Sequence, residues 1–141
     1  MRARARWGGA EGAALVLAVT LGALYCTEGP TGPTAGTLSV RLANAGSSDR
    51  AMLLQIAGTD TSARIDTVQA TPGSSYRVFV QRQSVTRWRV IVTGNLSNGV
   101  LLSIGVADKD RASAYTGTIL DVADAAFADV PPGSRQLSVA P

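Results

Sequence analysis

Histidine is missing from all 141 residues. That removes Ser-His-Asp and Cys-His catalysis, most zinc sites and the commonest general base near neutral pH. Glutamate does not occur after Glu28, and the remaining carboxylates are aspartates set mostly in apparent turns, a poor basis for paired-carboxylate chemistry of the glycosidase kind. The chain therefore reads as non-catalytic, and it carries no cofactor-binding or metal-binding pattern. Cysteine occurs once, at Cys26, so no intramolecular disulfide can form and stability must come from packing. A strong charge bias is lacking too. The formal charge is +3, but three arginines and Glu11 fall in the first 25 residues, which leaves ten basic and nine acidic side chains beyond them. A balance near +1 offers no concentrated cationic surface for phosphates, so nucleic acid is not an expected partner.

What is present begins with an address. Arg2, Arg4 and Arg6 precede an apolar run over residues 13–24, the arrangement of a secretory signal. The run is about 12 residues long against the roughly 20 that a membrane-spanning helix needs. Cys26 follows at once in Ala23-Leu24-Tyr25-Cys26, where a bacterial lipoprotein carries its acylated residue, although Tyr25 stands where such signals prefer a small side chain. Lipid attachment at Cys26 is the leading reading. The alternatives are a cysteine lying beside a cleavage site and an uncleaved N-terminal anchor. The segment from Thr27 to Gly36 holds three glycines, two prolines and no large apolar side chain, and reads as a tether. The expected organisation is a signal over residues 1–25, a tether over 26–36 and a single domain over 37–141. The expected location is outside the cytoplasm, in the cell envelope as a membrane-anchored lipoprotein or as a secreted protein.

Beyond the tether, apolar residues recur with period two and are rich in Val, Leu and Ile, with Gly, Pro, Asn, Asp and Ser breaking the runs at short intervals. This is an all-β pattern. Residues 37–42 alternate cleanly, with Leu38, Val40 and Leu42 directed inward. Residues 52–57 form a denser run that reads as a central strand with both faces buried. In residues 64–70, Ile65 and Val68 break strict alternation, which predicts a bulged or edge strand. Residues 76–82 and 87–93 form an expected hairpin, with Trp88, Val90 and Val92 on one face. Residues 100–106 read as another mid-sheet strand, 107–111 as a charged loop and 113–122 as a long strand. Short strands are expected at 125–128 and 135–139, around Pro131-Pro132-Gly133. Eight or nine strands in one domain, with no amphipathic helix beyond the signal, predict a two-sheet sandwich or jelly roll.

Several of these segments resemble the C-terminal half of cohesin domains: Arg87-Trp88-Arg89-Val90-Ile91-Val92, the strand Gly99 to Val106, Tyr115 to Leu120, Asp124-Ala125-Ala126-Phe127-Ala128-Asp129 and the closing Gln136-Leu137-Ser138-Val139. The resemblance covers residues 87–139 and implies a jelly-roll sandwich that binds another protein. The Tyr-Asp-Pro element of that family is missing from the N-terminal half, so the resemblance assigns no binding residue. The tether and the first strand, Gly36 to Leu42, are also similar to those of short bacterial lipoproteins.

Candidate sites follow from the remaining chemistry. Arg82, Arg87 and Arg89, with Arg77, cluster around one hairpin. They would suit an acidic polymer or partner, or keep an exposed strand from pairing with other chains. The second reading is the simpler. Trp88, with Tyr76 and Tyr115, would suit sugar stacking and hence a carbohydrate-binding module, whereas its shared face with Val90 and Val92 argues for the core. Asp108-Lys109-Asp110 offers two carboxylates to calcium but lacks the ligand count of a calcium loop, so it reads as a solvated turn. The functional expectation is a binding or structural module that engages an envelope or extracellular protein, with a polysaccharide as the alternative partner.

Overall fold

The computed structural model describes residues 32–141; the expected signal, Cys26 and most of the expected tether lie outside the described residues. Nine strands run in the order β1 (Gly36–Ala43), β2 (Asp49–Gly58), β3 (Ile65–Ala70), β4 (Arg77–Arg82), β5 (Arg87–Thr93), β6 (Gly99–Val106), β7 (Tyr115–Asp124), β8 (Asp129–Val130) and β9 (Gln136–Ala140). They form two antiparallel sheets, one ordered β3-β6-β1-β9 and the other β4-β5-β2-β7-β8. Only β4–β5 and β7–β8 are consecutive strands paired within one sheet; every other connection crosses between the sheets.

The alternation in β1 places Leu38, Val40 and Leu42 in the interior and leaves Arg41 outside. These side chains meet Ile65, Leu102 and Ile104 of their own sheet and Met52, Leu54, Ile56, Trp88, Val90, Val92 and Val122 of the other in a single apolar cluster. The arrangement is β-sandwich-like. Each fully buried aliphatic side chain contributes about 1.5–3 kcal/mol, and this cluster replaces the cross-links that a one-cysteine chain cannot make.

Residues Leu101 and Leu102 are both buried although they are neighbours in a strand, where side chains should point to opposite faces. A bulge resolves this: Val40 pairs with Leu102 and Arg41 with Val100, so Leu101 is an extra residue in β6 and turns inward as well. The expected edge character of residues 64–70 is also seen. β3 is the outer strand of its sheet and its register slips between Ile65 and Thr67.

Three expectations need correction. β2 is central in its sheet, but only one of its faces is fully buried; Ala51, Leu53, Gln55 and Ala57 on the other are half-covered, because no further layer of the described residues lies over them. The segment expected as a charged loop leads into a short 3₁₀ segment, Lys109–Ala114, capped by Asp108, whose carboxylate accepts the Asp110 N–H at 3.2 Å. Residues 125–128 are a turn rather than a strand. The Asp124 carboxylate accepts the N–H groups of Ala126 at 2.8 Å and Ala128 at 3.0 Å, which diverts these donors from any ladder.

Candidate binding face on the five-stranded sheet

The four candidate residues of the hairpin separate to two sides of their sheet. Trp88 points inward from β5 and is 9% exposed. Its indole N–H donates to the Ile65 carbonyl at 3.2 Å, tying the five-stranded sheet to β3 of the other. Arg82, opposite Trp88 in the β4–β5 register, places its guanidinium 5.9 Å from the centre of the indole ring, and its Nε donates to the Ser84 carbonyl at 3.3 Å. Arg87 and Arg89 lie on the outward side, exposed, across from Ala57 and Gln55 of β2. Trp88 is therefore a core residue with an arginine over it, and Arg87 and Arg89 belong to a different surface.

The aromatic trio does not form a stacking platform. Tyr115 is buried at 3% exposure beside the core, and its hydroxyl accepts the Asp108 N–H at 3.3 Å. Tyr76 is half-buried and shares a hydrogen bond with Ser97. Asp108 uses one carboxylate oxygen for both the Thr34 and Asp110 N–H groups, a capping role. Among the described residues, no three His, Cys, Asp or Glu side chains come together.

What the outward side does assemble is a set of cross-strand rows. Phe79 of β4 lies opposite Ile91 of β5, and Ile91 lies opposite Leu53 of β2, which in turn faces Asp121 of β7. Phe79 is 59% exposed and Ile91 42% exposed, an uncommon state for large apolar side chains side by side on neighbouring strands. The next row toward the hairpin turn is Gln81, Arg89, Gln55 and Thr118, and the row on the other side is Arg77, Thr93, Ala51 and Ala123. On β4 and β5 the apolar pair Phe79–Ile91 is thus bracketed by polar residues, Gln81 and Arg89 on one side and Arg77 and Thr93 on the other. This row escaped the sequence reading, which attended to the arginines and the tryptophan. Its signal was present in the alternation: in Arg87, Arg89, Ile91 and Thr93, the outward set of β5, isoleucine is the one large apolar residue, and in Arg77, Phe79 and Gln81 of β4 it is phenylalanine.

The electrostatics of this hairpin differ from those elsewhere. The ion pairs among the described residues are Arg64–Asp66, Arg111–Asp60 and Arg135–Asp49, and none involves Arg77, Arg82, Arg87 or Arg89. Between Asp66 and Asp108 the sequence contains no acidic residue at all. By contrast, Asp60 is held below the ordinary carboxylate range by hydrogen bonds from Ser62 and then Arg111, and Asp49 by Arg135. The hairpin arginines thus stand outside every ion pair of the described residues, and Asp121 of β7 is an acid that shares the outward face of their sheet. Among the described residues, no helix is long and apolar enough to cross a membrane. No protein-family model matches the chain, and no curated protein or solved structure matches it either.

Proposed function

We propose that this chain is an exported, non-catalytic β-sandwich of the cell envelope, tethered through a lipid on Cys26, that binds another protein through the outward face of its five-stranded sheet. The observation that carries the reading is the exposed pair Phe79–Ile91, with half-covered Leu53 beside it, lying between the polar residues Gln81, Arg89, Arg77 and Thr93 on a face that no other part of the described chain covers. An apolar centre with a polar, arginine-bearing rim is the usual anatomy of a protein-binding patch. The lack of histidine supports a non-catalytic role, and the cohesin resemblance of residues 87–139 supports both a jelly-roll fold and a protein partner. Export and anchorage are supported by Arg2, Arg4, Arg6, the apolar run after them and Cys26. A carbohydrate-binding role is not favoured, because Trp88 and Tyr115 are core residues and Phe79 is the one aromatic ring that the described strands place on this face.

The test is chemical crosslinking in the envelope of a bacterial host that expresses the full chain with its own N-terminus. Wild type is compared with Phe79→Asp/Ile91→Asp, a change confined to exposed side chains. Discrete crosslinked protein species that disappear in the double variant, with the melting temperature preserved, are the expected result. An identical pattern in both proteins, or none in either, overturns the reading. Intact mass of the same material, wild type against Cys26→Ser, reads the lipid.

A further inference from the structure

We infer that the free edge of β4 is a pairing site for an extended, acid-flanked peptide segment of a partner protein, which would add a strand to the five-stranded sheet. The inference rests on the protein-binding reading above and names the partner's chemistry.

The four sheet edges are not equivalent. β8 has two residues and runs into Pro131 and Pro132, β3 is bulged between Ile65 and Thr67, and β9 packs beside β7 of the opposite sheet. Short length, proline, bulges, coverage and charged side chains are the usual means of protecting an edge. β4 packs beside β3 of the opposite sheet but is neither bulged nor interrupted by proline: six residues pair with β5 in unbroken register, and its protection is charge, Arg77 and Arg82 at its two ends, which repels cationic strands and attracts acidic ones. The direction of its free groups follows from the turn. The Gln83 N–H donates to the Arg87 carbonyl at 2.9 Å, so with the alternation of an antiparallel ladder the odd residues of β4 bond to β5. Val78, Val80 and Arg82 then present their N–H and C=O groups to the open side. Val80 is 45% exposed although its cross-strand neighbour Val90 is fully buried, so apolar surface is available at that edge as well as on the outward face at Phe79.

Charge selects the occupant. A second copy of β4, paired antiparallel through these same even residues with Val80 opposite Val80, would set Arg82 opposite Val78 and give neither Arg77 nor Arg82 a counter-charge. An extended segment with an acid at each end and β-branched residues between meets the same strand favourably. Its acids face Arg82 and Arg77, and its apolar residues face Val80, Phe79 and Val78. Main-chain bonds would supply affinity and the alternate side chains specificity, as in other strand-addition complexes.

The probe is a fluorescein-labelled peptide, Asp-Thr-Val-Ile-Val-Asp, capped at both ends, titrated into the full chain and followed by anisotropy and by amide hydrogen exchange. Slowed exchange at Val78, Val80 and Arg82 is expected. Val80→Pro, which removes one outward N–H at a position where an edge strand tolerates proline, should weaken binding at least tenfold. Arg77→Glu/Arg82→Glu should exchange the preference for that of the Lys-Thr-Val-Ile-Val-Lys analogue. Equal binding of both peptides to wild type, protection located elsewhere, or binding of duplex DNA or heparin as tight as that of the peptide and indifferent to Val80→Pro would each overturn edge pairing. If the envelope crosslinks depend on Phe79 and Ile91 while the peptide fails to bind, the edge inference falls and the protein-binding reading stands. If the peptide binds the edge while crosslinks are missing, the edge site stands and that reading falls.

Discussion

Asp49 and Arg135 stand 86 residues apart in sequence and meet in a bidentate ion pair, with Arg135 Nη2 at 2.6 Å from one carboxylate oxygen and Nε at 2.7 Å from the other. Asp49 is fully buried, and the Gly46 N–H donates to the same carboxylate at 2.7 Å. The arginine also donates to the carbonyls of Pro131 and Pro132, so the pair fixes the loop between β8 and β9 against the start of β2. Replacing Asp49 with Asn leaves a nearly buried guanidinium without its counter-charge. The expected cost is about 3–5 kcal/mol, read as a lower denaturant midpoint at unchanged slope. A loss below about 1 kcal/mol would show that water reaches the arginine.

The same pair makes stability depend on acid. Hydrogen bonding to Arg135 holds the Asp49 carboxyl below its ordinary value of 3.8, against the opposing effect of desolvation. A depressed carboxyl contributes stability that is fully present above the unfolded-state value and is lost as pH falls through the folded-state value. Wild type should therefore lose stability as pH drops below about 4. In Asp49→Asn that acid limb should be shallower, because one titrating group is gone. Melting curves taken from pH 7 to pH 2 check this, and parallel curves for the two proteins would remove Asp49 from the account.

Trp88 sits where the two sheets are tied together, so its size and its N–H can be separated by substitution. Trp88→Phe keeps most of the apolar contact but leaves the Ile65 carbonyl without the indole donor, for an expected cost of about 1–3 kcal/mol. Trp88→Ala removes the bulk as well and should cost about 3–5 kcal/mol. Arg82→Ala, in a Trp7→Phe background that leaves Trp88 the single tryptophan, should shift the indole emission to longer wavelength by admitting water where the guanidinium now lies. Urea unfolding followed by far-ultraviolet circular dichroism measures the two Trp88 variants, and the same unfolding followed by the indole emission measures Arg82→Ala.

Local periodicity made much of this architecture legible, and its failures have physical causes. Alternation marked β1 and the inward side of β5, and the broken spacing of Ile65 and Val68 marked an edge strand whose register does slip. The turn at residues 125–128 was hidden because one aspartate carboxylate competes with the ladder for two amide donors, an interaction that apolar patterning does not record. The inward Leu101 depends on a bulge set by its partner strand β1. The outward row Phe79–Ile91–Leu53 was only partly legible for a related reason: alternation turns Phe79 and Ile91 outward, but the row exists only once β4, β5 and β2 are known to be neighbours, and 18 residues separate Gly58 at the end of β2 from Arg77 at the start of β4. The arginines stood out by composition, yet composition could not reveal that Arg82 covers Trp88 while Arg87 and Arg89 face away.

Backbone approach sets a prediction at Gly58. A Cβ built there would collide with the Ala63 carbonyl oxygen, and that turn has little freedom to give way. Ala63 N–H donates to both the side chain and the carbonyl of Asp60, while Arg111 holds the second carboxylate oxygen of Asp60 at 2.8 Å. Gly58→Ala should therefore cost about 1–3 kcal/mol, the range for overpacked sites. Asp60→Ala in the same background should recover part of that loss by freeing the turn. Denaturant midpoints of the single and double variants form the cycle, and strict additivity would contradict the rigid-turn explanation.

Phe127 gives the opposite case, a residue whose removal should help. It lies in the β7–β8 turn at a φ of 61°, in the left-handed region, with 91% of its surface exposed. Bulky side chains pay about 1–2 kcal/mol in that region, and an exposed ring returns almost no burial in compensation. The turn itself is held by Asp124, whose carboxylate accepts two amide donors and whose N–H donates to the Ala128 carbonyl at 3.0 Å. Phe127→Gly should accordingly leave the fold intact and change stability by no more than about 1 kcal/mol, in the stabilising direction, because relief of strain outweighs the added freedom of the unfolded chain. Asp124→Ala should destabilise by about 1 kcal/mol or more through the loss of its two side-chain bonds. If thermal melting instead shows Phe127→Gly to be the more damaging of the two, the ring is making contacts that its exposure in this structure does not account for.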